Sequence, residues 1–152
     1  MKTKKLILPN AVMLGEVSRL LDEGRHVTIM TKGSSMSPFI RGDRDSVELA
    51  KMEKVETGDI VLCLLSDGRY VLHRVHRIDG NALTLKGDGN LDGTESCTLQ
   101  DVCGTAVAIL RGERKRFECA SPRFRRASRR WVTAPRIVRR YILAIYRRIK
   151  IL

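Results

Sequence analysis

The sequence predicts a mainly β fold, antiparallel and partly barrel-like, with an N-terminal helix and a C-terminal amphipathic helix. Three observations support this prediction. Short segments of alternating or continuous apolar residues recur through the middle of the chain. Tight-turn sequences such as Asp67-Gly68 and Asp79-Gly80-Asn81 separate them. Apolar residues at helical three- and four-residue steps occur towards the two ends.

Each element follows from its local pattern. A helix is predicted over 10–24, where apolar residues form one stripe and Gly24 can end the helix. Strands are predicted over 26–31, 46–50, 59–65, 69–78, 82–86 and 102–110. The segment 131–152 is predicted to be one helix, with Trp131 and Tyr141 in its apolar stripe.

The chain has 152 residues and a net charge of +12, and that charge is unevenly distributed. Residues 1–122 carry 18 basic and 17 acidic side chains, whereas residues 123–152 carry 11 basic side chains and none that is acidic. This length suits one domain with an appendage. We therefore expect a nearly neutral domain over 1–120 and a basic helical tail over 121–152.

The cysteines and the apolar segments argue against a zinc-binding protein and against a membrane-spanning helix. Four cysteines are present, none in a Cys-x-x-Cys pair, and their spacing does not suggest zinc. No segment offers the roughly 18 consecutive apolar residues of a membrane-spanning helix. We expect a cytoplasmic protein without cofactor or metal, with the tail as a candidate for peripheral attachment to the inner membrane surface.

Ser35 and His73 are the side chains on which a functional prediction can rest. Ser35 lies in a turn that Gly33 makes tight, and His73 lies in a predicted strand. A serine hydroxyl becomes a good nucleophile when a base removes its proton and an acid orients that base. The backbone N–H groups of Ser34 and Ser35 could together form an oxyanion hole.

Five short motifs in one order resemble the serine peptidase clan of type I signal peptidases and LexA-type self-cleaving repressors. The resemblance covers roughly residues 25 to 110. The motifs are Ser35-Met36-Ser37-Pro38, Arg41-Gly42-Asp43, Thr57-Gly58-Asp59-Ile60-Val61, His73-Arg74-Val75 and Lys86-Gly87-Asp88-Gly89-Asn90. Each motif is weak alone, but the five in order are a strong signal.

The resemblance implies a role for each candidate residue. Ser35 would be the nucleophile, and His73 would be the general base, as in the endoplasmic-reticulum type of signal peptidase. Bacterial members mostly have a lysine at that position. Asp88 is the first choice for the acid that orients His73, Asp92 is the second, and Glu95 remains a further candidate because the sequence departs from the family pattern here.

The predicted function is that of a serine endopeptidase that cleaves an extended peptide or leader segment by a Ser-His(-Asp) mechanism. One alternative is a LexA-like self-cleaving regulator. It is disfavoured because the 34 residues before Ser35 hold one predicted helix and no Ala-Gly or Cys-Gly cleavage pair. The other alternative is a catalytically inactive peptide-binding module.

Three partners remain open for the basic tail. An amphipathic helix with Trp, Tyr and arginines suits an anionic membrane surface, which is the first choice for residues 131–152. Packing on the domain or on another protein is the second. Nucleic acid is the least favoured, because single-strand binding usually needs aromatic side chains on a folded basic face.

Overall fold

The computed structural model describes residues 4–7 and 11–151, and side chains from residue 12 to residue 149. Three α-helices occur in this part of the chain, namely α1 (Ala11–Asp22), α2 (Pro122–Thr133) and α3 (Arg136–Ile151). The strands are β1 (Lys4–Ile7), β2 (Val27–Met30), β3 (Asp45–Ala50), β4 (Ile60–Leu64), β5 (Tyr70–Asp79), β6 (Ala82–Lys86), β7 (Glu95–Thr98), β8 (Val102–Arg111) and β9 (Lys115–Glu118).

The strands form a single curled sheet, open like half a barrel. Its order is β1-β2-β3-β8-β4-β5-β6-β7, and β9 pairs with β8 beside that path. The β1–β2 pair is parallel and the other pairs are antiparallel. The predicted fold class, mainly antiparallel β with a helix at each end, is therefore confirmed.

The core is small and aliphatic, and it consists of two clusters. The larger one joins α1 to the inner faces of β2, β3, β4 and β8, with Leu21 and Ile29 fully buried. The smaller one lies among β4, β5, β6 and β7, around Val61 and Leu85. Burial of such side chains stabilises the fold by about 1.5–3 kcal/mol each. The strand that carries His73 is thus held between two packed layers.

The predicted helix and strands occur within a few residues of their expected bounds. Residue 10, the predicted first residue of the N-terminal helix, lies outside the described residues. Three short strands, β1, β7 and β9, were not predicted. The β7 sequence Glu95–Thr98 is mostly polar, and β9 is fully exposed, so neither has the apolar alternation by which strands are recognised. Their neighbours in the sheet supply the pairing instead.

The C-terminal segment forms two helices, and the prediction of a single helix over 131–152 is wrong. Ser121 caps α2 by accepting a hydrogen bond from the Phe124 N–H at 3.2 Å. Pro135 disfavours helical backbone at Ala134, which adopts an extended conformation between α2 and α3. Trp131 belongs to α2 and is buried, so it is unavailable to a membrane surface.

None of the helices in the described part of the chain combines the length and the apolar character that crossing a bilayer requires.

Candidate active site

Ser35 sits in a closed turn, residues 33–42, which we name the nucleophile turn. Gly33 enters it with φ of +77°, a left-handed conformation that glycine adopts without strain. The N–H of Gly42 donates to the Gly33 carbonyl at 3.2 Å and closes the turn at its base. Met36 and Ile40 are buried beneath it, while Ser35 is exposed. The fold thus fixes the backbone of the turn and leaves the serine side chain accessible.

A second turn, residues 87–90, packs directly on the nucleophile turn. The N–H of Gly89 donates to the carbonyl of Ser35 at 2.8 Å. The N–H of Asp88 lies 3.4 Å from the Met36 sulfur. These contacts connect the loop that follows β6 to the residue expected to act as nucleophile.

His73 lies in the middle of β5 and is buried, with 6% of its surface exposed. Its Nε2 atom points towards Gly87. A Cβ placed on Gly87 would lie 3.1 Å from that Nε2 atom and 2.5 Å from the Ser35 carbonyl oxygen. The imidazole and the Ser35 backbone therefore flank one gap that only a residue without a side chain can fill.

Glu95 is the acid next to His73. Its Oε1 atom lies 3.1 Å from the Nδ1 atom of His73, which is ion-pair distance. The alignment falls short of a hydrogen bond, and His73 Nδ1 and Glu95 Oε2 have no hydrogen-bond partner among the described residues. A carboxylate beside Nδ1 favours a proton there and leaves Nε2 free to accept one.

Asp88, the first choice for this acid, has a different partner. It is fully buried and forms an ion pair with Arg74, whose Nε and Nη2 donate to its carboxylate at 2.9 and 2.6 Å. Burial raises the pKa of Asp88, and the charge of Arg74 opposes that shift. Asp88 is therefore placed to hold Arg74, and Glu95 is the acid that lies beside His73 Nδ1.

Asp92, the second choice, is exposed and binds Arg136 of α3 through two hydrogen bonds of 2.7 and 2.8 Å. It does not line the cleft that contains His73. Sequence spacing could not show which acid lies beside His73. Glu95 belongs to β7, and the sequence of β7 has no recognisable strand pattern.

One cleft brings together the serine, the histidine and Glu95. We name it the Ser35 cleft, and its volume is about 320 Å³. Its lining residues are Thr31, Lys32, Gly33, Ser35, Met36, Ile40, Gly42, Arg69, Tyr70, Val71, Leu72, His73 and Glu95. Ser35, His73 and Glu95 therefore line the same cleft, whereas Asp88 and Asp92 do not.

The Ser35 cleft does not contain a continuous chain of hydrogen bonds from the serine to the acid. No hydrogen bond joins Ser35 to His73 in the described part of the chain. Such bonds are often long in the free state of an enzyme and tighten when substrate binds. The N–H groups of Ser34 and Ser35 likewise have no acceptor among the described residues. Their role as an oxyanion hole stays a prediction.

Arg74, next to His73 in sequence, connects the site to the C-terminal helices. Its Nη1 donates to the Gly58 carbonyl at 2.9 Å and to Ser128 Oγ of α2 at 2.6 Å. Its guanidinium lies 4.4 Å from the centre of the Phe39 ring. Phe39 in turn packs edge-on against Trp131. The first tail helix is therefore part of the layer that supports His73.

His76 does not line the Ser35 cleft, in keeping with its odd spacing from His73. The pairing of β5 with β6 is irregular between Val75 and Arg77. Burial, followed by the charges of Lys86 and Arg139, lowers the pKa of His76 to about 4.

No group of three or more His, Cys, Asp or Glu side chains within the described residues could hold a metal ion. The four cysteines are free thiols. No protein-family model matches the chain.

Proposed function

We propose that the protein is a serine endopeptidase with Ser35 as nucleophile, His73 as general base and Glu95 as the acid that orients His73. The observation that carries the proposal is the Ser35 cleft, which these three residues line together. The resemblance of the five motifs to the signal peptidase and LexA-type clan supports the same proposal, with Glu95 in place of Asp88 or Asp92.

The geometry suggests the following steps. The Ser35 hydroxyl attacks a peptide carbonyl while Nε2 of His73 takes its proton. The N–H groups of Ser34 and Ser35 donate to the oxyanion of the tetrahedral intermediate. His73 then protonates the leaving amine, and the Glu95 carboxylate stabilises the imidazolium that exists between the two proton transfers. Water finally hydrolyses the acyl-enzyme by the same proton route.

The lining of the cleft combines apolar and basic side chains. Met36, Ile40 and Leu72 give it an apolar wall, and Lys32 and Arg69 lie at its polar side. We propose a short apolar side chain at the residue whose carbonyl is attacked, because a cavity of about 320 Å³ is shared between that side chain and the backbone beside it. The cleavage of a leader segment, as in signal peptidases, is the corresponding substrate class.

A fluorophosphonate probe tests the nucleophile without knowledge of the substrate. We expect it to label wild type once, at Ser35, and to leave Ser35→Ala unlabelled. Ser34→Ala is the matched control, because it removes a neighbouring hydroxyl and keeps the backbone N–H. Equal labelling of wild type and Ser35→Ala would refute the assignment.

The histidine and the acid are tested by the rate of the same labelling. His73→Ala should slow it by several powers of ten, and Glu95→Gln by up to about 10⁴-fold. Asp92→Asn should leave the rate unchanged, because Asp92 binds Arg136 on the surface. If Asp92→Asn slowed labelling more than Glu95→Gln, the reassignment of the acid would be wrong.

A catalytically inactive peptide-binding module is the second candidate. The missing hydrogen bond between Ser35 and His73 favours it. Peptide binding without labelling by the probe, in a protein whose Ser35→Ala variant binds equally well, would establish that function instead.

A further inference from the structure

The helix α3 has an inner face that packs on the domain. Arg139 and Leu143 are buried there, with 7% and 3% of their surfaces exposed. Leu143 and Tyr146 lie against the nucleophile turn, where they share a cavity of about 250 Å³ with Ser34 and Ser37. The opposite face of α3 is therefore the one that points away from the protein.

That outer face is apolar rather than polar. Ile137, Tyr141, Ile145 and Ile149 follow each other at four-residue steps, and 72%, 71%, 48% and 64% of their surfaces are exposed. A helix on the surface of a globular domain normally turns its polar face to water. A contiguous row of large exposed apolar side chains indicates a surface that is covered in use.

Arginines border the apolar row on one side. Arg136, Arg140 and Arg147 are exposed at four- and seven-residue steps, which places them along a second row of the same helix. Arg148 lies close to the apolar row, where a long side chain can still carry its charge to the polar boundary. Asp92 pairs with Arg136, and Arg147 also lines the cavity beside Ser34, but residues 123–152 contain no acidic side chain that could neutralise Arg140 or Arg147.

The exposed apolar row and the arginines beside it together distinguish among three classes of partner. A second copy, joined by the symmetric contact that is commonest in dimers, would place one arginine-rich helix against another. A nucleic acid would neutralise the arginines and leave the four-residue apolar row in water. The interfacial layer of an anionic bilayer accepts apolar side chains below and arginines beside phosphate groups.

We propose that α3 binds the surface of a membrane rich in anionic phospholipid, with Ile137, Tyr141, Ile145 and Ile149 inserted and the arginine row at the headgroups. This surface differs from the one predicted from the sequence, because Trp131 is buried and takes no part. Since α3 also contacts the nucleophile turn, the Ser35 cleft would be held near the bilayer.

Co-sedimentation with vesicles tests the proposal on the full chain carrying Ser35→Ala, so that the result is independent of catalysis. We expect binding to phosphatidylcholine vesicles that contain phosphatidylglycerol, weaker binding at high salt, and no binding to phosphatidylcholine alone. Absence of binding to the anionic vesicles, or equal binding to both kinds, would overturn the proposal.

Paired variants separate the two contributions. Tyr141→Ser/Ile145→Ser should weaken binding by about tenfold or more, and so should Arg140→Gln/Arg147→Gln. Val12→Ser and Arg77→Gln are the matched controls, because they remove an exposed apolar and an exposed basic side chain elsewhere. Unchanged binding of both paired variants would also overturn the proposal.

A second copy of the chain or a nucleic acid on this face of α3 would give different experimental results. Light scattering that shows a dimer in wild type and a monomer in Tyr141→Ser/Ile145→Ser, together with no vesicle binding, would assign this face to a second copy and refute the membrane. Binding to duplex DNA in the absence of vesicle binding would refute it equally.

Discussion

Gly87 offers a sharp test of the candidate site, because it fills the gap between His73 and the Ser35 backbone. A methyl group at this position would lie 2.5 Å from the Ser35 carbonyl oxygen and 3.1 Å from the His73 Nε2 atom. Cβ contacts in proteins essentially never fall below 3.0 Å, and ordinary van der Waals contact begins at 3.4 Å. Gly87→Ala must therefore displace the turn and the nucleophile from each other by about 0.5–0.9 Å.

This displacement should reduce both the rate of catalysis and the free energy of unfolding. A misplacement of about 1 Å can cost about 10²-fold in rate, which corresponds to about 2.7 kcal/mol of transition-state stabilisation. Overpacking costs about 1–3 kcal/mol of the free energy of unfolding. We therefore expect Gly87→Ala to remain folded at room temperature and to react with the fluorophosphonate about 30- to 100-fold more slowly.

The assay follows the second-order rate constant of labelling by intact-protein mass spectrometry, with a melting curve for each variant. Gly93→Ala is the matched control, since a methyl group there meets nothing within 4 Å and the backbone is not left-handed. It should match wild type in both measurements. A folded Gly87→Ala variant that is labelled as fast as Gly93→Ala would refute the placement of His73 beside the Ser35 turn.

Three further predictions concern stability. Arg74→Met should lower the free energy of unfolding by about 3–5 kcal/mol, measured by urea denaturation, because it leaves a buried carboxylate without its partner; a smaller loss than that of Ser128→Ala would contradict the central role given to Arg74. Ser128→Ala itself should cost about 1.5–3 kcal/mol, since it removes a hydrogen bond to a buried charge, and a melting temperature equal to wild type would contradict this. His76 has a folded-state pKa of about 4 against an ordinary value of 6.5, chiefly through burial. The unfolded chain therefore binds more protons between those values, and stability should fall as pH is lowered from 6.5 to 4. His76→Asn should flatten that dependence in urea titrations at a series of pH values, and equal slopes in both proteins would show that His76 is not its source.

Much of the sheet was predictable because its central strands have strong local patterns. The apolar run of β4 comes from burial on both faces of the sheet, and the alternation in β6 comes from burial on one face. The strand β7 has no such pattern, because its pairing with β6 stabilises a polar sequence. Glu95 lies at its start, so the acid beside His73 could be named only as one of three candidates.

The C-terminal tail shows a second limit on what the sequence can predict. Amphipathic spacing predicted helical structure correctly, but it does not reveal which of two apolar sets faces the domain. The indole of Trp131 packs against Phe39, nearly a hundred residues earlier in the chain, and periodicity carries no signal for a contact of that range. Pro135 was the local signal that could have divided 131–152 into two helices, because proline disfavours helical backbone at the residue before it.

The bond from Arg74 to Ser128 bears on how the protein can be shortened. A version ending at residue 120 would keep the whole β-sheet, yet it would remove one hydrogen-bond acceptor from the Arg74 guanidinium, which has no access to water. The ring of Phe39 would lose both of its aromatic neighbours at once. A shortened version of the chain should therefore keep α2, and also α3, because Arg139 and Leu143 are buried.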